Sequence, residues 1–134
     1  MNHSIEKNEQ YVLITLDEIR FGETVAAPLE KVFVTLYREG FTNMILDLES
    51  VETINEDALS LIRKITKVCR NEGGLFVVVS IDDDLLDTID GAKIPELVML
   101  STIDEAIDVV LMNDTNDDFP EEDDDEYFAN QELE

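Results

Sequence analysis

The residues of this chain that could do chemistry are few and unevenly placed. Glu56 and Asp57 stand side by side in Ile54-Asn55-Glu56-Asp57-Ala58-Leu59, soon after the run Met44-Ile45-Leu46-Asp47-Leu48. Adjacent carboxylates invite an acid–base reading. However, the stretch opens a helical repeat, and neighbours at a helix N-terminus point in different directions. The helix dipole favours both as anions instead of separating a proton donor from an acceptor. Asn55 has the type and position of an N-cap, and Glu56 and Asp57 enrich the first turn behind it. That structural role leaves a recognition role open.

The other candidates also resolve into structure. Asp82-Asp83-Asp84 could offer oxygens to a hard cation, but calcium loops alternate their acids and add a Gly and a distal Glu. The triplet reads instead as a helix start favoured by the dipole. Cys69 belongs to the apolar stripe of a helix, where a free thiol packs as a small hydrophobe, and a single cysteine forms no internal disulfide. The one histidine, His3, lies in a terminus expected to fray, which leaves Ser-His and Cys-His pairs without a base. Gly73-Gly74 precedes a strand instead of following one, unlike a phosphate-binding loop. The expectation is a protein that is not an enzyme and holds no metal or cofactor.

Charge narrows the partners. The chain of 134 residues carries a net charge of -24. Residues 114–134 hold 11 Asp and Glu and no Lys or Arg, leaving 22 acids against 9 bases, a net of -13, in residues 1–113. Such a surface disfavours nucleic acid and anionic lipid, both of which are bound through Lys and Arg. It favours a basic protein surface. No apolar run approaches a membrane span, and the first residues lack a basic-then-apolar leader. A cytoplasmic location is expected.

The elements that must position these residues follow from periodicity. Tyr11–Leu16 reads as a strand, with Ser4–Lys7 as a short edge strand beside it. Leu29, Val32, Phe33, Leu36 and Tyr37 mark one face of a helix. Pro28 is best tolerated in a first turn, so that helix is expected to start near Ala26 or Ala27 and to stop at Gly40. Met44–Leu48 is a buried strand. The helix from about Asn55 to Asn71 buries Ala58, Leu61, Ile62, Ile65, Val68 and Cys69, with Arg63, Lys64, Lys67 and Arg70 around its other side. Leu75–Val79 is a third strand, apolar throughout, as in a sheet covered on both faces. A short helix from Asp82 follows, then a strand at Leu97–Leu100. A last helix is announced by the capping box Thr102-Ile103-Asp104-Glu105. Strands alternating with helices predict a mixed, largely parallel sheet of four or five strands with about four helices. The domain is expected over 1–113, and 114–134 as a disordered acidic tail.

With these residues placed, the run from Tyr11 to about Met112 resembles a STAS domain, the module of anti-sigma factor antagonists. The resemblance is carried by Val12–Leu16, by Asn43–Val51 with its strand-Asp-Leu-x-x-Val pattern, and by the helix start at Asn55–Leu59. Gly73–Val79 and Ser101–Ile107 carry the rest. The resemblance implies a regulatory binding protein that binds an anti-sigma factor, a serine kinase-like ATPase. In the family that kinase phosphorylates the second hydroxyl of an Asp-Ser-Ser/Thr-Gly motif. Here Asn55 takes the place of the Asp, Glu56 of the first Ser, Asp57 of the acceptor and Ala58 of the Gly, while Leu59 keeps the family's Leu.

A carboxylate accepts no stable serine-type phosphoester, yet it places about one negative charge where phosphoserine carries about one and a half to two. The resemblance therefore implies a phosphorylation-independent protein. Asp57 either mimics the partner-released state or belongs to a site rewired for constitutive binding. It also implies a partner loop at Ile19, Arg20, Phe21 and Gly22, where Phe21 is either an exposed anchor or a core residue. A second implied role is as an accessory subunit beside a transporter ATPase. The tail, with Phe119-Pro120 and Tyr127-Phe128 among its acids, reads as solubilising, as a short linear motif, or as an arm over the basic face of Arg63, Lys64, Lys67 and Arg70.

Overall fold

The computed structural model describes residues 1–115, so from residue 116 onward the expected tail lies outside the described residues. In chain order the elements are β1 (His3–Lys7), β2 (Val12–Leu16), β3 (Arg20–Phe21), α1 (Glu23–Arg38), β4 (Met44–Asp47) and β5 (Thr53–Ile54). They continue with α2 (Glu56–Asn71), β6 (Phe76–Val79), α3 (Asp83–Gly91), β7 (Val98–Leu100) and α4 (Ile103–Thr115). The main sheet runs β1-β2-β4-β6-β7. Within it the β1–β2 hairpin is antiparallel, while β2, β4, β6 and β7 are mutually parallel, with Val12 opposite Met44 and Met44 opposite Phe76.

Alternation along the strands separates two cores. Val12, Ile14, Leu16, Met44, Leu46, Phe76 and Val78 join α1, α2 and α3, with Leu29, Phe33, Ile62 and Ile65 among the partners. Leu13, Ile45, Val77 and Val79 face α4 through Ala106 and Val110. Cover on both faces is the reason these strands tolerate almost no polar residue. Phe33 meets Phe76 edge-on, with ring centroids 5.6 Å apart and planes at 87°, an arrangement that aromatic quadrupoles favour.

At the amino-terminal rim of the sheet, a buried amide does the joining. Asn43, 4% exposed, donates to the Gln10 carbonyl at 3.2 Å and accepts the Leu75 amide at 2.9 Å. The Asn113 side chain donates both to Asn43 Oδ1 and to the Gly73 carbonyl. One side chain thus ties the starts of β2 and β6 to the end of α4. Beside it, Gly73 turns with φ +82°, and a Cβ on Gly74 would fall 1.9 Å from the Thr42 carbonyl oxygen. The double glycine is demanded by a turn and by a close backbone approach.

Three features differ from the sequence-based expectation. Helix α1 begins at Glu23, not near Ala26, so Pro28 sits inside it. A proline there forfeits a single bond, to the Thr24 carbonyl. Val25, Ala26 and Leu29 are buried, and the Gly22 carbonyl accepts the Val25 and Ala26 amides at 3.1 and 2.8 Å; together they hold the first turn down. The pair β3 and β5 forms a separate parallel ribbon that two-residue strands do not announce by period. Helix α4 continues through Thr115, past the expected boundary at 113.

Candidate functional site

The ribbon brings the two candidate segments together. Arg20 pairs with Thr53 and Phe21 with Ile54, and the Asn55 amide donates to the Phe21 carbonyl at 3.2 Å. The Ile19 carbonyl accepts the Glu52 amide at 2.8 Å. The segment 19–22 is therefore bonded along its length to the strand that leads into α2. Gly22 completes the join, since a Cβ there would lie 3.2 Å from Asn55 Nδ2.

Asn55 caps α2 by accepting the Ala58 amide at 3.1 Å, which satisfies one of the helix's orphan donors. Ala58 and Leu59 turn inward and are buried. Glu56 and Asp57 remain exposed on the first turn, where the positive end of the helix dipole favours them. The five residues Asn55–Leu59 thus divide into a cap, two surface acids and two core anchors. In the loop, Phe21 is 1% exposed and joins the main core. It takes the core alternative and offers no exposed ring. The apolar side chain open to a partner is Ile19, 59% exposed, next to exposed Arg20.

Beside Asp57 a shallow groove of about 280 Å³ runs between α1 and α2, lined by Glu23, Ala26, Ala27, Glu30, Asp57, Ser60, Leu61 and Lys64. Lys64 is paired with Glu30. Three carboxylates against one ammonium, on an alanine floor, suit a basic side chain with an aliphatic stem.

Sequence reasoning missed two residues at the same rim. Ile81 is 73% exposed, just past the carboxyl end of β6. It stands directly before the cap Asp82, whose carboxylate accepts the Asp84 and Leu85 amides, where an apolar residue gives no local sign of exposure. Asp47 closes β4 at 4% exposure and accepts the Glu49 amide at 3.0 Å. Burial pushes its carboxyl above the usual range, against the Glu49 amide and the Thr15 hydroxyl, which favour the anion. Cys69 lies fully buried in α2, and burial pushes its thiol up to about 12. Its thiolate is therefore negligible at neutral pH. Among the described residues, no cluster of His, Cys, Asp and Glu could hold a metal ion, and no helix is long and apolar enough to cross a membrane.

Fold and corner together define a class: a mixed α/β domain that presents a strand-to-helix corner at the carboxyl rim of its sheet. The STAS domain profile matches residues 2–108. The chain belongs to the STAS domain family, and the match takes in β1, which lies before the Tyr11 start of the sequence resemblance. No curated protein matches. Among solved structures the chain is similar to an anti-sigma factor antagonist from Mycobacterium paratuberculosis, at 19% identity and a TM-score of 0.70, covering 82% of this chain and 93% of that one. It is similar to the Bacillus anti-sigma factor antagonist SpoIIAA in its unphosphorylated form, at 15% identity and a TM-score of 0.66, covering 82% and 98%. A Moorella thermoacetica RsbS in which a serine is replaced by glutamate matches at 12% identity and a TM-score of 0.71, covering 86% and 99%. The fold is that of the anti-sigma factor antagonists.

Proposed function

We propose that this STAS domain is a non-enzymatic regulatory module of the anti-sigma factor antagonist kind, whose binding corner works without phosphorylation. The observation that carries the reading is Asp57 itself. It is an exposed carboxylate on the first turn of α2, just after β5 and Asn55, which are bonded to the loop that bears Ile19 and Arg20. SpoIIAA is known in unphosphorylated and phosphorylated forms. Here the charge at the acceptor position is covalent and permanent. The partner is an anti-sigma factor of the serine kinase-like ATPase type. It approaches with a basic, partly apolar surface that covers Ile19, Ile81 and the groove beside Asp57.

Affinity capture from native extract with the wild type and Asp57→Ser side by side tests this. The expected result is retention of a kinase-like anti-sigma factor by at least one of the two proteins. Retention by Asp57→Ser alone makes Asp57 a built-in phosphate mimic that holds the protein released. Equal retention makes the corner a constitutive binder. Capture of a transporter ATPase by both would replace this reading with an accessory role in transport.

A further inference from the structure

The second notable surface lies on the outer face of α2, away from the Asp57 corner. A groove of about 480 Å³ runs between α2 and the turn after α3, lined by Arg63, Lys67, Arg70 and Asn71 on one side and Ile94, Pro95 and Glu96 on the other. Three of the nine Lys and Arg of a chain with net charge -24 line this single groove. Its far wall is apolar at Ile94 and Pro95. Arg63 donates to the Ala92 carbonyl at 2.9 Å, and Arg70 bonds Glu96 at 2.7 Å and the Gly74 carbonyl at 3.0 Å. The two arginines are thus held along the groove by short bonds to its rim. An exposed pair such as Arg70–Glu96 contributes little in water, so a better acidic ligand displaces it.

We infer that the groove is the seat of the chain's own acidic segment, Glu121–Phe128. The order of its residues fits the site. Glu121-Glu122-Asp123-Asp124-Asp125-Glu126 is followed at once by Tyr127-Phe128, so a run of acids for Arg63, Lys67 and Arg70 leads to two rings for Ile94 and Pro95. Rings beside an arginine also gain a cation–π contact. The path is short. The last described turn of α4 is pinned at the end of α2, where the Asn113 side chain donates to the Gly73 carbonyl at 3.0 Å. The described end of α4 thus lies a few residues from Arg70 and Asn71. The twelve residues from 116 to 127 span up to about 40 Å extended, whereas Arg63 to Asn71 along the helix is about 12 Å. Tethering raises the effective concentration into the millimolar range, enough to seat a weak, charge-driven contact. The seated segment neutralises the basic face and leaves the corner around Asp57 as the open binding surface.

A spin label tests the inference in the full chain. Cys69 is fully buried, so a single introduced thiol, Ala129→Cys, is labelled selectively in the native protein. At low salt the amides of Arg63, Lys67, Arg70, Ile94 and Glu96 are expected to broaden, with those around Asp57 untouched. The broadening should vanish in about 0.5 M salt, where the screening length falls to about 4 Å, and in an Arg63→Glu/Lys67→Glu variant. An even spread of weak broadening, its absence, its concentration at the Asp57 corner, or its survival in the charge-reversed variant would each overturn the inference.

Discussion

Asp57 and Asp47 carry opposite relations to water within one short stretch of chain. Asp57 stands in solvent at a helix start, where its charge costs little and is available to a partner. Asp47 is buried at the end of β4, and its carboxyl is pushed upward by that burial. A folded-state pKa above the unfolded value of 3.8 means that the folded chain holds this proton more tightly. The stabilisation linked to the proton is complete below the unfolded pKa and is lost as pH rises through the folded one. Asp47→Asn keeps an acceptor for the Glu49 amide and has no charge to bury. Subtracting its urea-unfolding curve from the wild type's across about pH 4 to 7 is expected to show the wild type losing ground as pH rises. A variant less stable than the wild type at neutral pH would show that the charge is used. Asn43 is the other residue with a large expected effect. Asn43→Ala leaves the Leu75 amide and the Gln10 carbonyl short of partners at about 1–3 kcal/mol each. A loss of about 3 kcal/mol in urea unfolding is expected from those two groups, with loosening at the end of α4.

At the scale of elements, the ribbon of β3 and β5 explains why a loop and a helix start act as one surface. It also sets what Phe21 does. Phe21→Ala removes a core ring and should cost about 3–5 kcal/mol of stability, visible as a lowered melting temperature. Loss of partner binding without that thermal change would restore the ring as a contact residue. Much of this level was legible in the sequence. The stripe Ala58, Leu61, Ile62, Ile65, Val68, Cys69 marked α2 and its buried face, and Thr102 with Glu105 marked the start of α4, where the Thr102 hydroxyl indeed accepts the Glu105 amide at 3.1 Å. Two-residue strands carry no period, so the ribbon was not legible. The start of α1 is not legible from Pro28 alone, because the burial of Val25 and Ala26 outweighs a proline's local cost. The exposure of Ile81 and the burial of Phe21 depend on what the neighbouring strands place beside them, which no local pattern records.

Across the whole molecule, the sheet's two rims are built differently. At the amino rim, Asn43, Gly74 and Asn113 lock strands and helix together. At the carboxyl rim, Ile19, Asp57 and Ile81 stand exposed around the end of β4 and the start of α2. A basic partner docking at that rim, as proposed, is expected to be steered by the acidic charge of the body, and to associate more slowly as salt rises. The most direct test of phosphorylation-independent binding is titration of the captured anti-sigma factor against wild type and Asp57→Ser, with and without ATP, followed by phosphopeptide mapping. The expected result is a wild-type affinity unchanged by ATP, and an Asp57→Ser affinity that ATP changes as the introduced hydroxyl gains phosphate. A wild-type affinity that changes with ATP, with phosphate found on Thr53 or Ser60, would contradict it.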